Sequence, residues 1–422
     1  MATSTDDSGG PLAGLRVIDF THFLAGPVAT MILADGGAEV VKIEDAARGD
    51  AFRHFLPPDE RLGGEGVPFL WCNRNKKSVA LDLKTDAGRA IALALVKDAD
   101  VVVENFSGQV MTRLGLGWET LSAFNPRLVY CAISAYGREG EFADRLGFDP
   151  VTQAESGFMS MNGYEDRDGV RTGSSVMDIS TGMMASNAIL SAIVARSRTG
   201  KGQRVEVALY DTAITMTGYA TLQNLFNDWQ PRRVGNGSAD TVPTGVFHAS
   251  DGPFFMVCAS TVIFRRVFRE VAGRPDIADD EELKRPAGRM AQRQRLIDML
   301  AALFATGTRA HWLARLKEAG VPAGAVRTVA EALRSPETKA RGLVTQLPHP
   351  TAGTVPNVAF PMRFSGTPAP APVAAPTLGQ HTREVLGALL GYDARRLDDA
   401  AAAGAFGQAA AGGAGGSAEL KS

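Results

Sequence analysis

The stretch LRVIDFTHFLAGPVATMILADGGAEVVKIE, Leu15 to Glu44, decides the fold. Leu15 to Phe20 is a short apolar run with the look of a buried strand, and THFLAGP after it reads as a turn. Pro27 suits the first turn of a helix, because its missing N–H is not needed there. That helix has to stop at Gly36 and Gly37, and Glu39 to Glu44 supplies a second strand. Strand, helix and strand in this order form a βαβ unit with a right-handed crossover, which demands a parallel sheet. The pattern continues with a helix over Asp86 to Lys97, a strand over Asp100 to Val103, a helix near Glu119 to Phe124 and a strand over Leu128 to Ile133. An open α/β domain is expected.

Further along, Gly182 to Arg198 reads as a buried helix closed by Thr199-Gly200-Lys201-Gly202, with QRVEVALYD as the next strand. Beyond Trp229 the character changes. PRRVGNGSADTVPTG is rich in Gly and Pro, FFMVCAS reads as a strand, and helices follow from Phe264 to Gly320. A second, smaller α+β domain with its linker is expected over 229–325. Glu384 to Tyr392 reads as the last strong helix. The Ala/Gly tail 401–422 and the polar start 1–11 are expected to be flexible.

Composition excludes several classes. With 422 residues, 45% apolar and 21% charged, the chain has the balance of a globular protein of two domains. A net charge of -2, from 44 basic and 46 acidic residues, argues against a surface built for nucleic acid. Cys72, Cys131 and Cys258 lie far apart with no C-x-x-C pair, so no disulfide framework or zinc site is indicated and each is read as a packed apolar side chain. The opening MATSTDDSGG has no leader pattern and no long apolar run is seen, so a cytoplasmic protein without membrane contact is expected.

The familiar motifs are missing. THFLAGP has one Gly where a dinucleotide fingerprint needs three, and Gly200-Lys201-Gly202 follows a helix and lacks the rest of a P-loop. The histidines show no metal spacing. Asp178, in TGSSVMDISTG ahead of the helix expected from Gly182, suits an N-cap as well as a nucleophile, and position alone leaves both open.

An ordered set of motifs goes further. It comprises LAGLRVIDFTHFLAGP, VVKIE, NRNKKSVALDLK, ADVVVENF, NPRLVYCAISAYG, GFDPVTQAESG, TGSSVMDISTG, RTGKGQRVEVALYDTA, GVPAGAV and LGQHTREVL. Together, from Leu12 to Tyr392, these resemble the class III CoA-transferase (CaiB/BaiF) family. The resemblance implies a large Rossmann-like CoA-binding domain, an open parallel sheet built from both chain ends, here 12–228 and 326–400. It also implies the smaller domain between them and two protomers interlocked as a homodimer. It gives Asp178 the role of nucleophile, forming an acyl anhydride and then a CoA thioester as coenzyme A moves from an acyl-CoA to a free carboxylic acid. Backbone N–H groups of the following helix, near Gly182, are expected to stabilise the oxyanion. CoA contacts are carried over to Leu24, Ala25, Leu81, Asp82, Leu83, Lys84, Asn105, Phe106, Arg113, Arg145, Leu146, Gly147 and Phe148. Lys76 and Lys77 are weighed between a CoA contact and a solvated face. No metal and no cofactor beyond CoA is implied.

Two positions depart from the formyl-CoA:oxalate pattern. Leu24 stands where those members have Gln, which argues against oxalate, and Asp45 stands where they have a basic residue, with Arg48 and Arg53 nearby as substitutes. The racemase branch of the same fold carries His where this chain has Phe148, and Phe cannot exchange a proton. A non-catalytic CoA-binding subunit is the other alternative, against which Asp178 itself argues. Arg232 and Arg233 would suit a second carboxylate, favouring a dicarboxylate such as succinate, or are an exposed linker pair.

Overall fold

The computed structural model describes residues 9–407. Its central sheet holds β1 (Arg16–Asp19), β2 (Glu39–Asp45), β3 (Lys76–Leu81), β4 (Val101–Glu104), β5 (Val129–Ser134) and β6 (Gln203–Ala208) in the order β3-β2-β1-β4-β5-β6. Every neighbouring pair is parallel. The inner strands are mostly apolar because both faces of the sheet are covered, with Asp19, Lys42 and Glu44 buried among them. Along β4, Val102 faces one core with Ile18, Val41 and Tyr130, while Val101 and Val103 face the other with Val17, Val40 and Cys131.

Two helices cover the second of these faces. The helix α1 (Ala25–Asp35) is buried along almost its whole length, with Pro27 in its first turn, and ends at Gly36. Gly37 adopts φ +98°, and a Cβ there would stand 1.8 Å from the carbonyl oxygen of Gly9, so only Gly fits. The first face is covered by α2 (Asp86–Lys97), capped by the Thr85 hydroxyl, which accepts from Gly88 N at 3.0 Å. Further along the chain, after the short helix Trp118–Phe124, are α3 (Asp149–Glu155) and α4 (Val176–Thr199). The latter packs beside α1 through Ala185, Ile189 and Ala192. It is long and apolar enough to cross a bilayer by composition, yet it carries Arg196, which is paired with Asp100 at 2.8 Å. Gly200 closes α4 in the left-handed conformation, and the Gly-Lys-Gly segment is the expected helix-to-strand turn. Helix α5 (Leu209–Met216) follows β6 directly.

The described chain divides into two compact units, one holding residues up to 156, 173–218 and those from 341 on, the other residues 157–172 and 219–340. These bounds differ from those expected from composition. Residues 157–172 join the smaller unit because Tyr164 bridges to Val234 and Gly235 N donates to Gly163 O at 2.8 Å. The smaller unit is built on the antiparallel strands β7 (Gly245–Ala249), β8 (Gly252–Met256) and β9 (Ala323–Ala325). Phe247, Phe254, Phe304 and Trp312 are at its core.

The last part of the chain completes the larger unit. A hairpin, β10 (Val344–His349) with β11 (Gly353–Val358), precedes α6 (Thr382–Leu390) and α7 (Ala394–Ala402). Val385 and Leu386 of α6 enter the core that holds α2, so both chain ends build this unit as expected. The flexible tail expected from Ala401 needs correction. Ala405 is fully buried and its carbonyl accepts from Asp82 N at 2.8 Å, because a short residue fills the space beside the end of β3. The remainder of that expected tail, 408–422, and residues 1–8 lie outside the described residues.

Candidate active site

In an open parallel sheet the carboxyl ends of the strands leave a crevice where the chain reverses direction, between β1 and β4 in this order. A cavity of ≈ 990 Å³ opens there, lined from the β1–α1 loop, the ends of β2, β4 and β5, and the first turn of α4. Asp178 is among the lining residues, with His22, Leu24, Ala25, Asn105, Phe106, Arg138, Arg145, Leu146, Gly147, Phe148 and Asp149.

Buried charges shape the loop at its edge. Lys42 Nζ donates to Thr21 O at 2.6 Å and pairs with Asp50 at 2.9 Å. Asn105 grips His22 on both sides, accepting from its N–H at 2.9 Å and donating to its carbonyl at 2.8 Å. Asp50 accepts from Phe23 N at 3.0 Å, holding that residue at φ 61°, which a non-Gly residue seldom adopts. The backbone from Thr21 to Phe23 is therefore fixed by three side chains, one from β2 and two from the loops that follow β2 and β4. Asp19, below it, binds the Thr21 and Thr30 hydroxyls and Lys76 Nζ. Burial works to raise its pKa, but Lys76 and Lys42 outweigh this and hold it down to about 2.

Asp178 lies inside the first turn of α4, which starts at Val176 rather than near Gly182. It is not the cap. Buried Asp149 takes that part from α3: its Oδ2 accepts from Met177 N at 2.6 Å and Asp178 N at 3.3 Å, and its Oδ1 accepts from Gln153 Nε2 at 2.5 Å. Burial first, and the Asp149 charge second, push the Asp178 carboxyl up to about 7. The cations of the cavity do not oppose this, since Arg138 is committed to Glu104 and Arg145 to Glu155. His22 is held below the ordinary histidine range by burial, which disfavours a positive charge on its ring.

The walls are aromatic. His22 lies 5.1 Å from Phe106 and 5.3 Å from Phe23, and Phe23 meets Phe148 edge-on at 6.3 Å. Such a wall suits the apolar stems and flat rings of a large ligand. A second helix points at the same place: a Cβ on Gly182 would lie 2.6 Å from Ala25 O and 2.8 Å from Val28 Cβ, so α1 begins in direct contact with α4.

Of the residues carried over for CoA, Leu24, Ala25, Asn105, Phe106, Arg145, Leu146, Gly147 and Phe148 line this cavity. Leu81, Asp82, Leu83, Lys84 and Arg113 do not. Leu81 is a core residue, and β3 is the edge strand two places from the switch point. The expectation that backbone N–H groups near Gly182 serve as oxyanion donors assumed a helix starting there; α4 starts at Val176, so Gly182 lies within it, and in the actual first turn Asp149 takes the Met177 and Asp178 N–H groups while the Ile179 N–H goes to Ser175 O. Both readings of Lys76 also fail: it is fully buried against Asp19. Arg53 cannot substitute for a basic residue at Asp45, being buried between Glu44 and Glu65. The three cysteines are buried and free, and burial pushes the Cys72 and Cys258 thiols up to about 12. Sequence reading missed Asp149 and the Lys42–Asp50 pair. Asp149 sat inside the quoted GFDPVTQAESG, and the Asp-Pro opening of a helix was its signal.

Comparison with known proteins agrees with this geometry. The family model described as CoA-transferase family III matches residues 12–382. The chain is 34% identical to a succinyl-CoA:glutarate CoA-transferase of Mus musculus, across 92% of this chain and 88% of that one. It is 37% identical to an acetyl-CoA:oxalate CoA-transferase of Acetobacter aceti, across 85% and 90%. A solved CaiB/BaiF family protein from Brucella suis superposes with a TM-score of 0.81 at 34% identity, covering 90% of this chain and 99% of that one. A sheet ordered around one crevice, a carboxylate at its mouth and these matches along nearly the whole chain lead to one conclusion: the protein belongs to CoA-transferase family III, the CaiB/BaiF family, and is a CoA-transferase.

Proposed function

We propose that the chain moves coenzyme A from an acyl-CoA to a short dicarboxylic acid by two displacements on Asp178. The observation that carries this is the Asp178 carboxylate itself, set in a largely apolar cavity with another carboxylate behind it and the neighbouring arginines committed elsewhere. A carboxylate so placed is more basic than one in water, and so a better nucleophile once ionised.

Asp178 attacks the thioester carbonyl, the C–S bond breaks, and an anhydride and the CoA thiolate result. The thiolate then attacks the Asp178 carbonyl, leaving an aspartyl-CoA thioester and releasing the first acid. The second acid attacks that thioester to form a new anhydride, and the thiolate takes the new acyl group and restores Asp178. The oxyanion formed in each addition needs donors that α4 does not have to spare. The N-terminus of α1, with Leu24 and Ala25 at the cavity and its positive dipole end beside α4, is placed to supply them. Relatives named for glutarate and oxalate support a dicarboxylate as the free acid.

The route can be read by isotope. Turnover with an acid labelled with oxygen-18 in its carboxylate transfers one labelled oxygen to Asp178 in each cycle. Label found in the Asp178 peptide supports the reading, and acyl transfer with no label in the protein would contradict it.

A further inference from the structure

Double displacement on Asp178 builds negative charge on two different oxygens. When Asp178 attacks the acyl-CoA, the oxyanion forms on the acyl carbonyl. When the CoA thiolate then attacks the anhydride, its sulfur bonds to Cγ of Asp178 and the carbonyl electron pair moves onto the Asp178 oxygen; collapse breaks the bond from Cγ to the bridging oxygen and frees the first acid as its carboxylate. The same Asp178 oxygen is charged again when the second acid attacks the thioester and the C–S bond breaks. An oxyanion accepts from more than one donor. On the α4 side no backbone N–H of the first turn is to spare, since Asp149 and Ser175 O take those of Met177, Asp178 and Ile179.

One hydroxyl there is unspent. Thr181 is fully buried, and its Oγ1 has no hydrogen-bond partner among the described residues. A helical threonine commonly returns its hydroxyl to the carbonyl three or four residues back. The other buried helical threonines do so here: Thr30 donates to Gly26 O at 3.3 Å, Thr152 to Asp149 O at 3.0 Å and Thr212 to Ala208 O at 3.0 Å. A buried hydroxyl with nothing to bind costs stability, so Thr181 departs from the pattern at a penalty. It departs beside the nucleophile. Residues three apart on a helix are neighbours, with Cβ atoms about 5–6 Å apart, and side chains lean toward the N-terminus, so Thr181 leans over the turn of α4 that carries Asp178. Two buried nitrogens of the cavity wall also lack a partner, His22 Nδ1 and Arg138 Nε. His22 belongs to the β1–α1 loop, and Arg138 gives its other nitrogens to Glu104 and Gly108 O.

We propose that the Thr181 hydroxyl donates to the Asp178 carbonyl oxygen once that carboxyl is acylated, and stabilises the oxyanion in the two steps that make and consume the aspartyl-CoA thioester. The hydroxyl keeps its proton throughout. The assignment rests on the reading of Asp178 as the group that carries CoA, and deepens it by naming the side chain that serves the oxygen of Asp178 itself.

The test is a single turnover of the full chain. The unaltered protein and its variants Thr181→Val, Thr181→Ala and Thr181→Ser are each mixed with succinyl-CoA, and separately with acetyl-CoA, without acceptor acid, and rapid quenching with intact-mass measurement follows the covalent CoA adduct. The adduct is expected to form about a hundredfold more slowly in Thr181→Val and Thr181→Ala, as for loss of one oxyanion donor, and within about threefold of the unaltered rate in Thr181→Ser. In turnover kcat falls with the adduct rate, while KM for the acyl-CoA stays within about twofold. Thr181→Val is expected to melt no lower than the unaltered protein, because the hydroxyl it removes binds nothing in the free enzyme. Adduct formation as slow in Thr181→Ser as in Thr181→Val overturns the proposal, since packing of the methyl group would then be what counts. Equal rates in all four proteins overturn the role of Thr181 alone. No CoA adduct in the unaltered protein with either donor overturns the double-displacement reading, and the role of Thr181 with it.

Discussion

At Asp178 the proposed chemistry depends on two carboxylates at the start of one helix, Asp178 inside the first turn of α4 and Asp149 reaching it from α3. Asp149 caps α4 and at the same time stands as a like charge behind Asp178, and burial first, with that charge second, pushes the Asp178 carboxyl up to about 7. On the proposed route the active form is ionised, so kcat/KM is expected to rise with pH along a limb near that value in the free enzyme. Asp149→Asn keeps the size of the cap and removes its charge; a pH–rate profile is expected to show the limb moved to lower pH. A folded pKa above the ordinary 3.8 also has a cost in stability. The folded state holds this proton more tightly than the unfolded chain, so the cost is absent below the ordinary pKa, grows as pH rises, and is complete above about 7. Asp178→Asn is therefore expected to raise Tm more at about pH 8 than at about pH 5, and thermal melts at the two pH values check it. Sequence position alone left Asp178 between cap and nucleophile. What removed the cap reading was Asp149, a residue from another helix, which no local spacing displays.

The elements were more legible than their contacts. The run from Leu15 to Glu44 announced β1, α1 and β2 through apolar strands, Pro27 and the double glycine, and the helix over Asp86 to Lys97 was found at its observed bounds. Strand β3 went unread as a strand because Lys76 and Lys77 look like surface residues. Only the folded chain shows Lys76 held under the sheet by Asp19 and Asn73. The start of α4 was also misjudged, by placing it at the apolar run rather than at Val176. This start matters, since it puts Asp178 one turn before Gly182, where α1 and α4 touch. Gly182→Ala inserts a methyl group 2.6 Å from Ala25 O, so it is expected to push the helices apart, lower kcat/KM by about tenfold or more and reduce stability by about 1–3 kcal/mol. Kinetics and chemical denaturation together check this; a variant as stable and active as the parent would show that the contact is not needed.

Across the whole molecule, the larger unit is closed by a part of the chain some 300 residues away from the sheet it covers. Ser78 N donates to His381 Nδ1 at 3.2 Å, Ala80 N to Thr382 Oγ1 at 3.1 Å and Asp82 N to Ala405 O at 2.8 Å, so the edge strand β3 is sealed by the chain's return. Resemblance to the family foretold this return; composition did not, because Ala and Gly after residue 400 look like a free tail. Leu386, fully buried in the core with Val385, is expected to cost about 2–5 kcal/mol on truncation to Ala, measured by equilibrium denaturation, as for any core leucine and unlike a residue of a loosely attached end. The division into two units likewise followed contacts rather than composition, through the Tyr164–Val234 bridge. The claim that joins all three scales is that the crevice of the sheet presents Asp178 as the group that becomes acylated. Incubation with an acyl-CoA, quenching with hydroxylamine and mass mapping of the peptides tests it most directly. The account predicts a hydroxamate on Asp178 alone, absent from Asp178→Asn; a modified residue elsewhere, or transfer activity retained in that variant with no adduct at all, would contradict it.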